Sequence, residues 1–563
     1  MTPSEGDLSQ PDQRYAKALA DRQSYVDAIV GSLARRKIVV AGPGTGKTYL
    51  FKQVLRDKPK TLTLTFVNSL IEQLALELCG MSDVRTLHSF ARSELRRANG
   101  KPITIFPKLP RVIEEDAKIL LGRSVKFEKM FSDRDDGNPD LAFYQERKGY
   151  YGEWRGYSDV VFDLVTMYEK EASRVPGYDQ VVIDEFQDFN MLEVSLIDSL
   201  AEKSPILLAG DDDQALYDFK SASACHIRSK HGNECPDYAS FELPYCSRST
   251  RVIVDAVNDV VGAATEHGLL RGRVNKSYMY FECQAKDEES AENPKLVYLH
   301  AYAKQIPWAI EKRIKEIAKT LKSEFSVLVI SQTRRQSDAI ASSLVTKGFN
   351  NVRHVVGDKD SDPSLVDGLK LIMEQRTSNL GWRIAAGCLL GEHELAALVE
   401  ATNQPGAQPV MELIAADKRK QIAGLVKVCR KIEDGKSVKA DEVETVLDAC
   451  GCSPQEVLMN HVGETLSAAD GTRGGEPGVR GVPITATTVQ GSKGLAADYV
   501  FITHCDDQYI VKDKDKSKIA DRDVCNFLVA LTRARKRAYL ISSNQAKEPQ
   551  FVQWIADGRV NRA

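Results

Sequence analysis

Residues 38–48 read IVVAGPGTGKT and decide the fold class of this chain. The apolar run at 38–40 predicts a buried strand, and the glycines after it allow the backbone to curl so that its N–H groups face an anion. A lysine and a hydroxyl residue then open a helix, which is the spacing of a phosphate-binding loop. The predicted loop comprises Ala41, Gly42, Pro43, Gly44, Thr45, Gly46, Lys47 and Thr48, with Ala41 in place of the usual first glycine.

A second strand signal ends in acidic residues. In QVVIDEFQD, residues 180–188, Asp184 and Glu185 follow a β-branched run, at the end of a strand where open α/β sheets carry their chemistry. Asp184 can hold Mg²⁺ together with Thr48, and Glu185 can polarise an attacking water. A solvated acidic turn is the alternative for this segment alone. The phosphate loop upstream favours a nucleotide-hydrolysing site.

Short apolar runs recur along both halves of the chain and predict two α/β cores with mainly parallel sheets. Two longer stretches between them, roughly 91–177 and 363–469, are charged or helical in pattern. The second is followed by GTRGGEPGVRGVP, residues 471–483, whose glycines and prolines indicate a loop or hinge. The strand candidates are 38–40, 62–64, 181–183, 206–208, 297–299, 327–330, 500–502 and 539–541.

Composition sets broad limits on the class of protein. The 563 residues carry 76 basic and 79 acidic side chains, so a nucleic-acid partner would need a local basic groove and not a basic surface. The pattern lacks a long apolar span and an apolar leader, from which we expect no membrane partner and a cytoplasmic location. The 11 cysteines are scattered and odd in number, which favours reduced thiols over a disulfide framework or a zinc site.

Three further segments extend the pattern in a recognisable order. DEFQD at 184–188, LAGDDDQALYDF at 208–219 and VALTRARKRAYL at 529–540 resemble motifs II, III and VI of the UvrD/Rep branch of superfamily 1 helicases. The resemblance covers most of the chain. It implies two RecA-like parallel-sheet P-loop cores with mainly helical inserted lobes. The implied divisions are 1–91 and 178–238 for core 1A, 92–177 for lobe 1B, 239–362 and 482–563 for core 2A, and 363–481 for lobe 2B with its hinge loop.

The resemblance also implies roles in ATP binding and hydrolysis. Gln23 resembles the glutamine that reads the adenine edge, with a solvent-facing helix residue as an equal alternative. Gln187 and Gln214 resemble residues that sense the γ-phosphate. Arg248 and Arg533 would reach the same phosphate from the second core, with a surface arginine as the alternative for each. ATP and Mg²⁺ are the implied cofactors.

A DNA track is implied by four more segments, TLTFVNSLIEQL, TLHSFA, QALYDF and TTVQGSKGL. Aromatic residues would stack on bases, and polar residues would contact the DNA phosphates or lie near the cleft between the two cores. Packing in the protein core is the alternative for the aromatic residues. The implied contacts are Phe66, Asn68, Thr86, His88, Ser89, Tyr217, Phe219, Thr488, Gln490, Ser492 and Lys493.

Three positions depart from the family pattern. Ser247 stands where a tyrosine normally stacks on adenine, although Tyr245 is close enough in sequence to substitute. Ala496 replaces a glutamate of motif V, and Gln490 replaces a histidine. Both insertions are also short for the family, a difference that concerns duplex contact and strand separation and not ATP turnover.

The resulting expectation is an ATP-dependent helicase or translocase that moves 3′ to 5′ on single-stranded DNA. The alternative is a DNA-stimulated ATPase switch that remodels or recruits a partner, such as a nuclease, without processive unwinding. Single-stranded DNA and junctions of single and double strands are the expected partners.

Overall fold

The computed structural model describes residues 10–66, 68–152, 154–216, 224–232, 236–321, 323–355, 362–404, 406–449, 481–511, 518–543 and 547–563. The chain divides into two compact units. The first unit comprises residues 1–87, 171–358 and 474–563, and the second comprises residues 88–170 and 359–473. The second unit is therefore built entirely from the two insertions.

The first sheet of the larger unit carries the phosphate loop. Its six parallel strands are ordered β3-β2-β4-β5-β1-β6, with the phosphate loop following β1. Strands β1, β2, β4 and β5 lie inside the sheet and read as almost continuous apolar or β-branched runs, because helices cover both faces of parallel sheets. The strands are β1 (Arg36–Ala41), β2 (Thr61–Thr65), β3 (Asp83–Thr86), β4 (Gln180–Ile183), β5 (Ile206–Gly210) and β6 (Ala239–Leu243).

The second sheet of the same unit has seven parallel strands in the order β9-β10-β8-β11-β12-β7-β13. Two parallel α/β sheets in one unit confirm the predicted fold class of two P-loop-type cores with helical insertions. The strands are β7 (Leu296–His300), β8 (Val327–Ser331), β9 (Val352–His354), β10 (Ile484–Thr488), β11 (Ala497–Thr503), β12 (Ala534–Ser542) and β13 (Val560–Arg562). A short pair, Tyr245–Cys246 with Met279–Tyr280, adds to this unit.

Helices connect the strands of both cores, as right-handed crossovers between parallel strands require. The helix after motif II shows how their starts are encoded, since Asn190 and Glu193 cap it reciprocally. The helices of the larger unit are Gln10–Gly31, Lys47–Leu55, Asn68–Glu77, Met191–Lys203, Cys225–Lys230, Arg251–Glu266, Gln284–Glu292, Ile306–Thr320, Arg334–Thr346, Asp507–Ile510, Asp521–Leu531 and Gln550–Gln553.

The second unit is mainly helical, as the sequence predicts for both insertions. A two-residue strand pair, Thr104–Ile105 with Trp154–Arg155, is its small sheet. Its helices are Leu87–Asn99, Leu109–Leu120, Phe127–Ser132, Asp140–Tyr151, Tyr157–Lys170, Leu365–Glu374, Asn379–Leu389, Glu392–Ala401, Val410–Leu413, Ala416–Glu433 and Ala440–Ala449, the first of which begins one residue before the unit does.

A buried charge cluster joins the two insertions. Asp116 accepts hydrogen bonds from Arg147 Nε and Nη2 at 2.9 and 2.6 Å and from Arg383 Nε at 2.9 Å. Arg147 also donates to Thr402 Oγ1 at 3.2 Å and to the Tyr151 hydroxyl at 2.8 Å. The three charged residues are 0–2% exposed. Since Asp116 and Arg147 belong to the first insertion and Arg383 to the second, the cluster ties both insertions into one body.

Further hydrogen bonds connect the same two insertions at their exposed margin. The Tyr150 hydroxyl donates to the Gln408 carbonyl at 2.9 Å, and Asn379 Nδ2 donates to the Tyr150 carbonyl at 3.0 Å. Lys108 forms an ion pair with Asp367 at 2.8 Å.

Among the described residues of the chain, no helix has the length and apolar character needed to cross a membrane.

Candidate ATP-hydrolysis site

The strands of the first sheet bring the predicted motifs to one edge. Five parallel strands end at this edge. The phosphate loop, Phe66, Asp184 and Asp211 follow β1, β2, β4 and β5, and Thr86 is the last residue of β3. Parallel strands end at the same edge, so residues distant in sequence become neighbours there. This edge is the candidate functional site.

The phosphate loop has the backbone that its glycines allow. Gly44 and Gly46 have φ angles of 74° and 98°, a region that favours glycine. The Thr45 hydroxyl donates to the Gly42 carbonyl at 2.8 Å and closes the loop. Lys47 then opens the helix Lys47–Leu55, whose N-terminal end carries unpaired N–H groups suited to a phosphate. Thr48 is the second residue of that helix.

Lys47, Asp184 and Glu185 meet at the centre of the site. Lys47 Nζ lies 3.0 Å from Glu185 Oε1. Burial raises the pKa of Asp184 to about 7, assisted by the neighbouring Glu185 charge. Glu185 is only partly exposed, and although this burial raises its pKa, the Lys47 and Lys493 ammonium groups hold the pKa well below the usual range. Glu185 therefore stays a carboxylate, the form that a general base needs.

Glu185 also has an unusual backbone. Its φ of 55° and ψ of 44° place a non-glycine residue in the left-handed region. Such conformations cost about 1–3 kcal/mol and persist where the surroundings enforce them. Here the Glu185 N–H donates to Asp184 Oδ1 at 2.9 Å, and Gln187 Nε2 donates to Glu185 Oε2 at 2.6 Å. The two carboxylates are thus fixed beside the phosphate loop.

A continuous hydrogen-bonded chain links the second core to Glu185. Arg533 Nη2 donates to Gln214 Oε1 at 2.9 Å, and Gln214 Nε2 donates to Asp211 Oδ2 at 2.7 Å. The Asp211 N–H then donates to Gln187 Oε1 at 3.0 Å, and Gln187 contacts Glu185. The structure therefore brings together the motif II, III and VI residues that the sequence predicts.

The two predicted arginines differ in their surroundings. Arg533 is 3% exposed, and burial together with the Arg248 charge lowers its pKa to about 10. Arg248 is half-buried, and its Cβ lies against Gly44, where a side chain on the loop would collide with it. Ser247 donates to the Gly44 carbonyl from both its N–H and its hydroxyl, at 3.0 and 3.3 Å. Ser247 thus holds the phosphate loop in the place of a base-stacking tyrosine.

Lys493 has a different setting from the DNA contact that the resemblance implies. It is 2% exposed, forms an ion pair with Asp188 and donates to the Gln214 carbonyl at 3.1 Å. Its ammonium group also lies 4.0 Å from Glu185 Oε2. We therefore infer that Lys493 belongs to the candidate site, where its charge acts on motif II, and any contact with DNA stays a prediction.

Sequence reasoning missed two residues that complete the site. Lys276 is buried and forms ion pairs with the carboxylates of Asp211, Asp212 and Asp213, which come close enough together to resemble a metal site. The Tyr278 hydroxyl donates to the Pro43 carbonyl at 3.0 Å. Both residues follow the motif IV segment by about thirty positions without a sequence signal of their own, and only the tertiary fold brings them to the site.

Gln23 lies on the helix Gln10–Gly31 and contacts the helix that follows the phosphate loop. Its amide donates to Asp27 at 2.8 Å and accepts from the Tyr49 hydroxyl at 3.2 Å. Tyr49 directly follows Lys47 and Thr48 on their helix. Tyr245 packs edge-on against Tyr25 with ring centroids 6.0 Å apart. Tyr25, Tyr49 and Tyr245 therefore lie near Thr45 and Gly46 of the phosphate loop, and the adenine contact of Gln23 stays a prediction.

Comparisons with known proteins agree with this geometry. A family model described as an AAA domain matches residues 27–220. A probable DNA helicase II homolog from Mycoplasma capricolum is 22% identical over 312 residues, covering 45% of this chain and 43% of the relative. The ATP-dependent DNA helicase PcrA of Staphylococcus epidermidis is 22% identical over 385 residues, covering 58% of this chain and 52% of the relative.

The chain is similar to helicases of the UvrD/Rep kind. The predicted resemblance is confirmed, while the chain spans about half the length of the curated relatives that it matches. PcrA of Staphylococcus aureus is 25% identical over a shorter stretch of 143 residues.

Three predicted DNA contacts lie at or after the carboxyl ends of β2 and β3. Phe66 is half-buried, with its ring edge-on to Phe189 at a centroid distance of 5.8 Å. Thr86 is buried at the end of β3. Asn68 begins the helix Asn68–Glu77. The DNA roles of Phe66, Asn68 and Thr86 stay predictions.

His88 and Ser89 belong to the second unit, on the helix Leu87–Asn99. The His88 ring lies edge-on to Tyr157 at a centroid distance of 5.3 Å, and Ser89 is exposed. Tyr217 and Phe219 lie outside the described residues. Their proposed stacking on bases stays a prediction.

The motif V residues follow strand β10 of the second core. Thr488 Oγ1 accepts from the Gly491 N–H at 3.2 Å, which shapes the turn. The Ser492 hydroxyl is buried and donates to the Val489 carbonyl at 2.6 Å, so it stabilises the same turn. Gln490 is half-buried and begins the turn. Contacts of Thr488 and Gln490 with DNA stay predictions.

Proposed function

We propose that this chain is an ATP-dependent DNA helicase or translocase that uses Mg²⁺ and moves 3′ to 5′ on single-stranded DNA. The observation that carries the proposal is the hydrogen-bonded chain from Arg533 through Gln214, Asp211 and Gln187 to Glu185. It joins a hydrolysis site on one core to an arginine on the other. A motor needs such a connection, because nucleotide state must change the relation between two cores.

The chemistry assigned to each residue follows from charge and position. Lys47 and the N–H groups of the phosphate loop bind the β- and γ-phosphates of ATP. Thr48 and Asp184 offer oxygen ligands of the kind that Mg²⁺ prefers, so the donor set fits this ion. Bound Mg²⁺ would supply charge neutralisation on the phosphates. Glu185 accepts a proton from the attacking water, and it is suited to this because it remains ionised.

Two arginines supply the link to movement. Arg248 and Arg533 carry positive charge, and electrostatic attraction draws such groups toward the γ-phosphate of ATP. Hydrolysis and phosphate release weaken that attraction. The nucleotide therefore biases a two-state closure of the cores, and a bound DNA strand that spans both cores would be displaced stepwise. The 3′-to-5′ direction rests on the family resemblance.

A second candidate is a DNA-stimulated ATPase switch that remodels or recruits a protein partner, such as a nuclease, without processive unwinding. It is favoured by the insertions, which are short for the family and tied into one unit by Asp116, Arg147 and Arg383. Both candidates share the ATPase site and differ in whether turnover moves DNA.

The first test is ATP turnover against added oligonucleotide. The rate is expected to rise strongly with single-stranded DNA and saturate, and the apparent affinity should fall with salt as phosphate counterions are released. The slope of log affinity against log salt should be about −0.7 per phosphate contacted. A blunt duplex of the same sequence is the comparison, and Lys47→Ala controls for a contaminating ATPase. A turnover rate that ignores single-stranded DNA at every salt concentration contradicts the proposal.

A further inference from the structure

Arg22 is an arginine beside the phosphate loop that no motif includes. It lies on the helix Gln10–Gly31 and is half-buried. Its guanidinium carbon sits 4.8 Å from the centroid of the Phe281 ring. Its Nη2 atom lies 2.8 Å from the position that a Cβ on Gly46 would occupy. The guanidinium is thus stacked on an aromatic ring and directed at the start of the Lys47 helix.

The charge of Arg22 is not neutralised within the described part of the chain, where no carboxylate forms an ion pair with it. Burial lowers its pKa, and the groups that oppose this are Tyr49, Cys246 and Cys283. By contrast, Arg14 on the same helix forms ion pairs with Asp287 and Glu282. Burying a cation without a partner is unfavourable, so such a group is suited to an anion that binds from outside.

The surroundings of Arg22 indicate which anion. Arg22 lines a recess together with Thr45 and Gly46 of the phosphate loop and the tyrosines 25, 49 and 245. The recess therefore begins at the loop that holds phosphates and ends at aromatic rings that suit a base. A nucleoside di- or triphosphate is the ligand class that carries both groups.

We propose that Arg22 binds a phosphate oxygen of the nucleotide from the outer side of the phosphate loop, held in place by the Phe281 ring. This rests on the proposed function and adds a cation supplied by the N-terminal helix to those supplied by Lys47, Arg248 and Arg533. A charge-assisted hydrogen bond of this kind corresponds to about 10- to 100-fold in affinity. The nucleotide would in turn neutralise a cation that is unpaired without it.

The test uses the full chain and a fluorescent ADP analogue, with unlabelled ADP and ATP as competitors. Arg22→Gln should weaken ADP and ATP binding about 10- to 100-fold. It should raise the KM for ATP much more than it lowers kcat, because Glu185 and Lys47 are untouched. Arg22→Lys keeps the charge and should bind closer to wild type. Arg56→Gln, at an exposed position after the Lys47–Leu55 helix, is the matched control and should change nothing.

Thermal unfolding separates a binding role from a purely structural one. Without nucleotide, Arg22→Gln should be at least as stable as wild type, because an unpaired half-buried charge is removed. With ADP, the stabilisation seen in wild type should be largely lost. Unchanged ADP affinity in Arg22→Gln overturns the inference, as does Arg22→Lys binding as weakly as Arg22→Gln, or a loss of stability without nucleotide. A wild-type chain that binds no ADP would instead overturn the proposed function.

Discussion

Glu185→Gln is expected to lower the rate of ATP hydrolysis by about 10²- to 10⁴-fold while leaving ATP binding intact. The substitution removes the carboxylate that accepts the proton of water but keeps the size of the side chain. Its amide oxygen can still accept from Lys47, which lies 3.0 Å from Glu185 Oε1. Steady-state turnover and binding of a fluorescent ATP analogue measure the two properties separately.

Two control variants accompany Glu185→Gln, one expected to lose ATP binding and one expected to change nothing. Lys47→Ala removes the charge that binds the β- and γ-phosphates, so both binding and turnover should be lost. Glu202→Gln changes an exposed carboxylate on the same core, 71% accessible, and should leave both properties unchanged. Turnover at the wild-type rate in Glu185→Gln would remove Glu185 from the catalytic role.

Asp116→Asn should destabilise the second unit by about 3–5 kcal/mol. The carboxylate is fully buried between Arg147 and Arg383, which are themselves 2% and 1% exposed. Without the negative charge of Asp116, Arg147 loses its carboxylate partner, Arg383 keeps only the half-exposed Glu115 at 3.3 Å, and the two cations repel each other. Loss of one partner in a buried ion pair costs far more than loss of an exposed one.

Urea unfolding of the full chain, followed by tryptophan fluorescence, measures this effect, because Trp154 and Trp382 are both buried in the second unit. Asp163→Asn is the matched control. Asp163 is 27% exposed and pairs with Arg155 and Lys148, so its change should cost less than about 1 kcal/mol. Equal shifts in the two variants would mean that the Asp116 cluster does not stabilise the unit as described.

The sequence predicted the interior of both sheets and missed mainly their edges. All eight apolar runs named from the sequence lie in observed strands. Four strands were not predicted, and each lies at an edge of its sheet. They are Asp83–Thr86, Ala239–Leu243, Val352–His354 and Val560–Arg562. An edge strand is less covered than an interior one, so it does not need a continuous apolar run. The strand Ile484–Thr488 was not predicted although it is interior, because its sequence ITATT lacks a continuous apolar run.

The candidate site was predictable where residues follow a strand directly, as Asp184 does, or follow it across a glycine loop, as Lys47 does. It was not predictable where two distant segments meet. Lys276 reaches the motif III carboxylates from more than sixty positions away, and Arg383 reaches Asp116 across 267 positions. No local pattern encodes either pairing. The position of Lys493 was likewise not encoded locally. Its motif indicated either a DNA phosphate or the cleft between the cores, and the tertiary contacts with Asp188 and Gln214 favour the cleft.

Displacement of streptavidin from biotinylated single-stranded oligonucleotides measures whether ATP turnover drives movement along DNA. ATP is expected to accelerate displacement from the 5′ end more than from the 3′ end, and Glu185→Gln is expected to abolish the acceleration. If single-stranded DNA stimulates ATP hydrolysis while streptavidin leaves both ends at its spontaneous rate, the motor is contradicted and the ATPase switch is supported.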